Sequence, residues 1–128
     1  MADLNILILE DDSDLLNLYS RVLLKEGYRV FPALTLTAAY DLLNQLDFDV
    51  VISDIGIGSD RSLGMLRSQI DRLQHKRTEI VIVSGREEAR YMCEEIGIEF
   101  FLHKPVSPSE LRQLINRLVQ RRAMAAAV

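Results

Sequence analysis

The stretch VVISDIG, residues 50–56, runs three β-branched apolar residues into a serine and then an aspartate. A short apolar run of this kind is typical of a strand buried on both faces, as in a parallel sheet. Asp54 stands where the apolar run stops. An acid after a strand is often simply the N-cap of the next helix, so the residues that surround Asp54 must decide its role.

The whole chain has the composition of one folded domain. Its 128 residues are enough to bury about two-thirds of the unfolded surface around a single core. Apolar residues make up 48% of the chain and charged residues 27%, as in ordinary globular proteins. The sequence contains no repeat, low-complexity block or interdomain linker.

Three features exclude whole classes of protein. Cys93 is the only cysteine, which excludes an intramolecular disulfide and a cysteine-based metal site and fits a reducing cytoplasm. The first twelve residues have no basic segment, and their apolar run soon meets acids, so they form neither a signal peptide nor a membrane span. A net charge of -4 disfavours direct binding to nucleic acid. We therefore expect a cytoplasmic protein without membrane contact.

Five apolar runs alternate with five helical patterns along the chain. The predicted strands are Leu4–Leu9, Tyr28–Ala33, Phe48–Ser53, Ile80–Val83 and Glu99–Leu102. The predicted helices are Ser13–Glu26, Thr37–Leu46, Leu63–Leu73, Glu87–Ile96 and a last one from the capping box Ser107–Glu110 to Val119. Pro32 favours an edge position for the second strand. This alternation predicts an α/β fold, a five-stranded parallel sheet with helices on both faces.

Helix starts and stops are also marked in the sequence. Asp12 or Ser13 is the expected N-cap of the first helix, and Thr35 or Thr37 that of the second. Gly27 and Gly97 follow the first and fourth helices, where a C-terminal stop is expected.

Side chains able to do chemistry follow four of the five predicted strands. They are Glu10, Asp11 and Asp12 after the first strand, Asp54 after the third, Ser84 after the fourth and Lys104 after the fifth. In open α/β sheets the ligand site lies at these carboxyl ends. Each residue alone has an ordinary explanation as a cap, a turn residue or a solvated lysine. If each residue had only such a local role, there would be no reason for carboxylates, a hydroxyl and an amine to occur together at one edge of the sheet.

This combination of groups predicts a phosphorylatable aspartate. Carboxylates a few ångströms apart repel one another, so the site retains a proton or holds a cation. Oxygen ligands select a hard cation, and few protein ligands suit Mg²⁺ better than Ca²⁺. The Asp54 carboxylate can then attack phosphorus, while the cation and Lys104 neutralise the transferring oxygens. Ser84 can donate a hydrogen bond to the same group.

The motifs ILILEDD (6–12), VVISD (50–54), IVIVSG (80–85) and FFLHKP (100–105) resemble, in that order, the receiver domain of two-component response regulators. The resemblance covers Leu4 to about Val119, and its specificity comes from the ordered set. It implies a doubly wound flavodoxin-like (βα)5 sandwich with strand order 2-1-3-4-5. The receiver domain would span residues 1–122, followed by a C-terminal tail, 123–128, that could extend the last helix or fray.

The resemblance also implies roles for the residues at the sheet edge. Asp54 would be the phosphoacceptor, and its donor a sensor histidine kinase or a histidine phosphotransfer protein. Asp11 would hold Mg²⁺ directly and Glu10 through water, with the Gly56 carbonyl completing the protein ligands. Lys104 would pair with the phosphoryl group.

Two further positions match the switch of the family. Ser84 would be the switch hydroxyl, and Phe101 the aromatic residue that turns inward when Ser84 moves toward the phosphoryl group. The peptide bond from Lys104 to Pro105 is typically cis in the family. The implied output is a shift of the face formed by the fourth helix, fifth strand and fifth helix, which docks partners or forms a homodimer.

The loop after Asp54 departs from the family pattern. Ile57-Gly58 replaces an apolar residue followed by proline, and Ser62 stands where a glycine is common. Two glycines lead us to expect a mobile loop over residues 56–60. Gly56 offers no side chain to shield the phosphoryl group, whereas Arg86 could cover it or repel a cation, and the sign of the net effect stays open.

Three other functions fit the sequence less well. The altered loop makes a degenerate receiver, acting as a phosphorylation-independent interaction module, the main alternative. An aspartate-based phosphatase of the haloacid dehalogenase type would need a second acid where Gly56 stands, and a flavin site would need hydroxyls where three acids follow the first strand. We expect a signalling switch that catalyses only its own phosphorylation and dephosphorylation, not an enzyme.

Several remaining residues are more simply structural. His75 and His103 lack partners at metal-ligand spacing and are expected at the surface. Cys93 is expected to pack a helix or to be partly exposed. The arginines of the last helix, Arg112, Arg117, Arg121 and Arg122, are better explained by a solvated face than by a docking patch.

Overall fold

A computed structural model describes residues 4–54 and 59–126, with the backbone alone for 59–63, 65–66 and 126. Its strands are β1 (Asn5–Leu9), β2 (Arg29–Ala33), β3 (Val50–Asp54), β4 (Glu79–Ser84) and β5 (Phe100–His103). Its helices are α1 (Ser13–Lys25), α2 (Leu36–Gln45), α3 (Ser59–His75), α4 (Glu87–Glu95) and α5 (Pro108–Ala126). All predicted elements are present, and the largest shifts are the start of α3, at Ser59 rather than Leu63, and the end of α5, at Ala126 rather than Val119. Over the described ranges, no helix is long and apolar enough to cross a membrane.

The five strands form one parallel sheet in the order β2-β1-β3-β4-β5, which confirms the predicted fold class. Ile8 of β1 is opposite Ile52 of β3 on one side and Pro32 of β2 on the other. Proline has no N–H to donate, so it is tolerated at the edge position that β2 occupies. The prediction of an edge strand is therefore also confirmed.

Alternate residues of the central strands enter two separate cores. In β1, Ile6 and Ile8 face a cluster that includes residues of α1 and α5, while Leu7 and Leu9 face a cluster that includes residues of α2 and α4. These four side chains are no more than 5% exposed. A sheet covered on both faces needs apolar residues at every position, which explains the continuous apolar runs in the sequence.

Specific side chains fix the starts of three helices. Asp12 caps α1 by accepting hydrogen bonds from the amides of Asp14 and Leu15, and Thr35 caps α2. Ser107 and Glu110 form the predicted reciprocal capping box before α5, each side chain accepting from the other's amide. These bonds satisfy amides that have no partner inside the helix.

The two helices that end at glycine use a left-handed backbone. Gly27 has φ 92° and Gly97 has φ 83°, values that residues with a Cβ rarely adopt. The predicted C-terminal stops of α1 and α4 are thereby confirmed.

Three of the four arginines of α5, Arg112, Arg117 and Arg121, are exposed, which fits the predicted solvated face, whereas Arg122 is half-buried. Arg121 donates to Glu79 at 3.0 Å, and Arg122 donates to Asp49 at 2.9 Å and to the carbonyl of Arg77. The helix periodicity places these side chains at its surface, but the amino ends of the strands lie within reach of their long side chains. The helix continues through residues 123–126, and residues 127–128 lie outside the described part.

Cys93 is 1% exposed within the cluster that includes residues of α2 and α4. Burial raises the pKa of its thiol to about 11. The expectation of a helix-packing role is confirmed, and the alternative of a partly exposed thiol is wrong.

Two neighbouring leucines in α1 test the assignment of the core. Leu23 is fully buried, whereas Leu24 is 55% exposed. We expect Leu23→Ala to lower the free energy of unfolding by about 2–5 kcal/mol, because it leaves a cavity. Leu24→Ala should change it by less than about 0.5 kcal/mol. Urea denaturation of both variants measures the difference, and equal losses would contradict the assigned orientation of α1.

Candidate phosphoacceptor site

Three ionisable side chains from different parts of the chain meet at the carboxyl edge of the sheet. Glu10 follows β1, Asp54 ends β3 and Lys104 follows β5. The Lys104 Nζ lies 3.0 Å from Asp54 Oδ2 and 3.2 Å from Glu10 Oε2. The Lys104 amide donates to the Ser84 carbonyl at 2.9 Å, which anchors its backbone to the end of β4. The Lys104 side chain, which follows β5, thus reaches the carboxylates at the ends of β3 and β1.

Both acids of this cluster are buried. Glu10 is 1% exposed and Asp54 is 3% exposed, whereas the Lys104 side chain keeps 24% of its surface in solvent. Burying an ionised carboxylate is costly unless it is paired with a cation or gives up its charge. The nearby ammonium supplies a positive charge for both carboxylates.

Burial and neighbouring charges shift the pKa of two members of the cluster. Burial raises the pKa of Glu10 to about 7, and the nearby Asp54 acts in the same direction. Burial lowers the pKa of Lys104, but the carboxylates of Asp54 and Glu10 outweigh burial and raise it. The carboxylates thus favour the charged form of Lys104, while burial favours the protonated form of Glu10.

The Glu10 side chain is also held by the backbone. Its Oε1 accepts a hydrogen bond from the Asp12 amide at 3.2 Å, and the Glu10 amide donates to the Ala33 carbonyl at 3.1 Å. Asp12 itself caps α1, as the sequence predicted. Of the three consecutive acids, Asp12 therefore has a structural role, while Glu10 and Asp11 remain for the site.

The oxygen atoms of Glu10, Asp11 and Asp54 fit a hard cation. One carboxylate oxygen from each lies within 4.8 Å of the others. Asp11 is exposed to solvent, so a cation could approach from that side. Asp54 Oδ1 is buried and accepts no hydrogen bond from the described residues. An all-oxygen set that includes this unsatisfied buried oxygen suits Mg²⁺ or a similar cation. The predicted fourth ligand, Gly56, lies outside the described residues, as does the predicted mobile segment through Gly58.

Ser84 is fully buried at the end of β4, next to the cluster in the sheet. Val83 is opposite Asp54 in the register, so Ser84 lies one residue further along the neighbouring strand. Its Oγ accepts a hydrogen bond from the Arg86 amide at 3.1 Å. Arg86 is exposed at the N-cap of α4.

The structure also describes the remaining predicted site residues. Phe101 of β5 is half-buried against the core, and Lys104–Pro105 is a cis peptide bond, as the family resemblance implied. His103 is exposed, with Nδ1 2.7 Å from the Lys104 carbonyl, which fits the expected surface role.

Sequence reasoning missed Tyr19 as a neighbour of the site. Its side chain is 2% exposed in α1, and burial raises its pKa. The charges of Lys104 and Glu10 also act on that pKa, which places the phenol near the cluster. The helical period placed Tyr19 on the buried face of α1, but no signal in the sequence indicated which end of the sheet its hydroxyl approaches.

The burial of Glu10 predicts a pH dependence of stability. Its pKa is raised from 4.5 to about 7 on folding, so the folded state binds more protons between these values and becomes less stable as pH rises. We expect the free energy of unfolding of the metal-free protein, relative to Glu10→Gln, to fall by about 2–3 kcal/mol across this range. Urea denaturation of both proteins measures it.

Mg²⁺ provides the control for this experiment. A bound cation favours the ionised carboxylates, so it should reduce the loss of stability in the wild-type protein. Curves for the two proteins that stay parallel from pH 4.5 to pH 7 would contradict the shifted pKa of Glu10.

Comparison with known proteins identifies the family. The model of the response regulator receiver domain matches residues 6–116. The protein PetR of Rhodobacter capsulatus is 29% identical over 119 residues, which cover 91% of this chain and 49% of PetR. The probable transcriptional regulator ycf29 of Porphyra purpurea is 32% identical over 120 residues, which cover 91% of this chain and 57% of that protein. The chain thus spans about half the length of these curated relatives.

Solved structures show the same fold. The chemotaxis response regulator CheY4 of Vibrio cholerae superposes with a TM-score of 0.80 at 23% identity, covering 90% of this chain and 98% of that one. The response regulator DrrB of Thermotoga maritima gives a TM-score of 0.80 at 21% identity, covering 93% and 54%. The chain belongs to the receiver domains of response regulators, signalling switches that are generally phosphorylated on an aspartate and generally bind Mg²⁺.

Proposed function

We propose that Asp54 accepts a phosphoryl group in a Mg²⁺-dependent reaction and that a histidine kinase or histidine phosphotransfer protein donates it. The observation that carries this proposal is the Lys104 ammonium, which lies within 3.2 Å of both Asp54 and Glu10. A purely structural acid at the end of β3 would need no such cluster. The ordered set of acids, hydroxyl and lysine around Asp54 is what the chemistry requires.

In the proposed transfer, a carboxylate oxygen of Asp54 forms a bond to phosphorus. The bond from phosphorus to the donor's imidazole nitrogen breaks, and its electron pair stays on that nitrogen. The Lys104 ammonium lies 3.0 Å from Asp54 Oδ2, so it supplies positive charge beside the attacking carboxylate. Part of the lysine side chain is exposed, so its ammonium can follow the negative charge onto a phosphoryl oxygen.

Glu10, Asp11 and Asp54 would hold the Mg²⁺ ion, with the Gly56 carbonyl as a further proposed ligand. When bound, Mg²⁺ supplies positive charge next to the transferring phosphoryl oxygens. Asp11 is the exposed member of the set, which suits direct coordination of a partly hydrated ion. Glu10, whose side chain accepts a hydrogen bond from the Asp12 amide, would contact the ion through a bound water.

We further propose that Ser84 and Phe101 convert phosphorylation into a conformational change. The Ser84 hydroxyl would leave the Arg86 amide and donate to the phosphoryl group, and the Phe101 ring would turn inward behind it. The new bond favours one of two states, so phosphorylation shifts their populations. The output surface would be the face formed by α4, β5 and α5.

Mass spectrometry tests the acceptor. With Mg²⁺ and acetyl phosphate, we expect the wild-type protein to gain the mass of one phosphoryl group and Asp54→Asn to gain none. Removal of the divalent cation with EDTA should abolish the modification of the wild type. Asp49→Asn is the matched control, because Asp49 lies at the amino end of the same strand. It should be modified like the wild type.

Two results would overturn this assignment. A wild type that stays unmodified, under conditions that modify another receiver, would favour the phosphorylation-independent interaction module. Modification of Asp54→Asn at the wild-type level would place the acceptor elsewhere.

Self-association through the proposed output face is testable separately. On α4, Tyr91 is 63% exposed and Met92 is 37% exposed. We expect beryllofluoride, a phosphoryl mimic, to raise the dimer fraction of the wild type, and Tyr91→Ala to reduce that rise at least several-fold, as truncating a central aromatic contact does. Sedimentation velocity measures it. Leu34→Ala, an exposed leucine next to the β2 edge, is the control and should dimerise normally. Equal loss in both variants would contradict the proposed face.

A further inference from the structure

An arginine of α4 covers the aromatic ring at the proposed switch position. The Arg90 Cζ lies 4.6 Å from the centroid of the Phe101 ring. A guanidinium within about 6 Å of a ring centroid is attracted to the ring face. Phenylalanine has no hydroxyl, so hydrogen bonding cannot fix the ring, and the guanidinium supplies the polar contact instead.

The guanidinium of Arg90 is itself held in place. Its Nε donates to Glu87 Oε1 at 3.1 Å, one turn earlier on α4. The other oxygen of Glu87 lies 3.7 Å from the His103 Nε2, on the same strand as Phe101. Glu87 of α4 thus contacts both Arg90 of the same helix and His103 of β5. These contacts orient the Arg90 guanidinium over the ring.

The position of Phe101 in the sheet makes this contact relevant to the switch. Phe101 is opposite Ile82 of β4, and Ser84 lies two residues further along on the same face. In the proposed switch the ring turns toward Ser84, and such a turn would change its contact with the guanidinium of Arg90. The contact between Arg90 and Phe101 belongs to the ring position present in this structure.

We infer that Arg90 is a positioning residue that holds the Phe101 ring in its unphosphorylated position and so sets the threshold of the switch. This inference rests on the proposed function, because it assumes that the ring moves when Asp54 is modified. A contact made in one state alone shifts the equilibrium toward that state. Loss of Arg90 should then favour the phosphorylated conformation before any modification occurs.

The chain contains a matched pair for comparison. Arg121 of α5 lies 4.9 Å from the centroid of Phe100, the residue next to Phe101. Phe100 packs against the opposite core, the one that includes residues of α1 and α5, and takes no part in the proposed switch. Arg121→Gln therefore removes a similar guanidinium-ring contact from the same strand without touching the switch ring.

The first experiment measures the affinity of the Mg²⁺-loaded protein for beryllofluoride. Arg90→Gln should raise this affinity by about two- to fivefold, the factor that corresponds to an exposed cation–π contact. Arg121→Gln should leave it unchanged. A merely structural role of Arg90 would lower the affinity or leave it as it is. An unchanged Arg90→Gln, or an equal gain in both variants, would overturn the inference.

A second readout works without any phosphoryl mimic. Rotamer-sensitive carbon–carbon couplings of ¹³C-labelled phenylalanine should give one dominant χ1 for Phe101 in the unmodified wild type and averaged values in Arg90→Gln. Phe100 should keep its χ1 in Arg90→Gln. If beryllofluoride binds none of the proteins, the proposed function fails and these couplings decide the role of Arg90. A Phe101 χ1 that is the same in both proteins would overturn that role.

Discussion

The Lys104 ammonium lies between the carboxylates of Glu10 and Asp54, and this contact lets two acids occupy a buried sheet edge. Burial removes the hydration of the two carboxylates and places their like charges close together. The ammonium offsets both costs. The sheet topology makes the contact possible, because the carboxyl ends of β1 and β3 are adjacent and only β4 separates β3 from β5. Lys104 lies in the loop between β5 and α5, at the same edge of the sheet.

The same negative charge can be balanced in three ways, and this links stability to function. A proton on Glu10, the Lys104 ammonium and a bound cation all reduce the repulsion among the acids. Mg²⁺ binding would free the lysine from part of its role as a counter-ion, so that it can serve the phosphoryl group.

Much of the fold could be predicted from short-range signals. Continuous apolar runs indicated strands covered on both faces, and the capping box at Ser107 and the glycine at Gly97 marked helix ends through local backbone requirements. The carboxyl ends of parallel strands share one edge, so the sequence could also predict that Glu10, Asp54 and Lys104 would meet. These inferences succeeded because each depends on a few neighbouring residues or on a general rule of topology.

The contacts that were not predicted are made by long or flexible side chains between different elements. Arg122 reaches Asp49 across 73 positions, and Arg90 covers a ring on the next strand. Such contacts depend on helix rotation and on side-chain torsions, which the periodicity of the sequence does not encode. The approach of Tyr19 to the charged cluster was missed for the same reason, since a buried aromatic in a helix is usually explained by packing alone.

A crystal structure with Mg²⁺ and beryllofluoride would test the central claim most directly. The expected result is beryllium bonded to an Asp54 oxygen, the ion bound by Asp11 and Asp54, and the Lys104 ammonium moved from the carboxylates onto a fluorine. Beryllofluoride absent from Asp54 while Mg²⁺ occupies the acidic cluster, or Lys104 still bridging Glu10 and Asp54, would contradict the account.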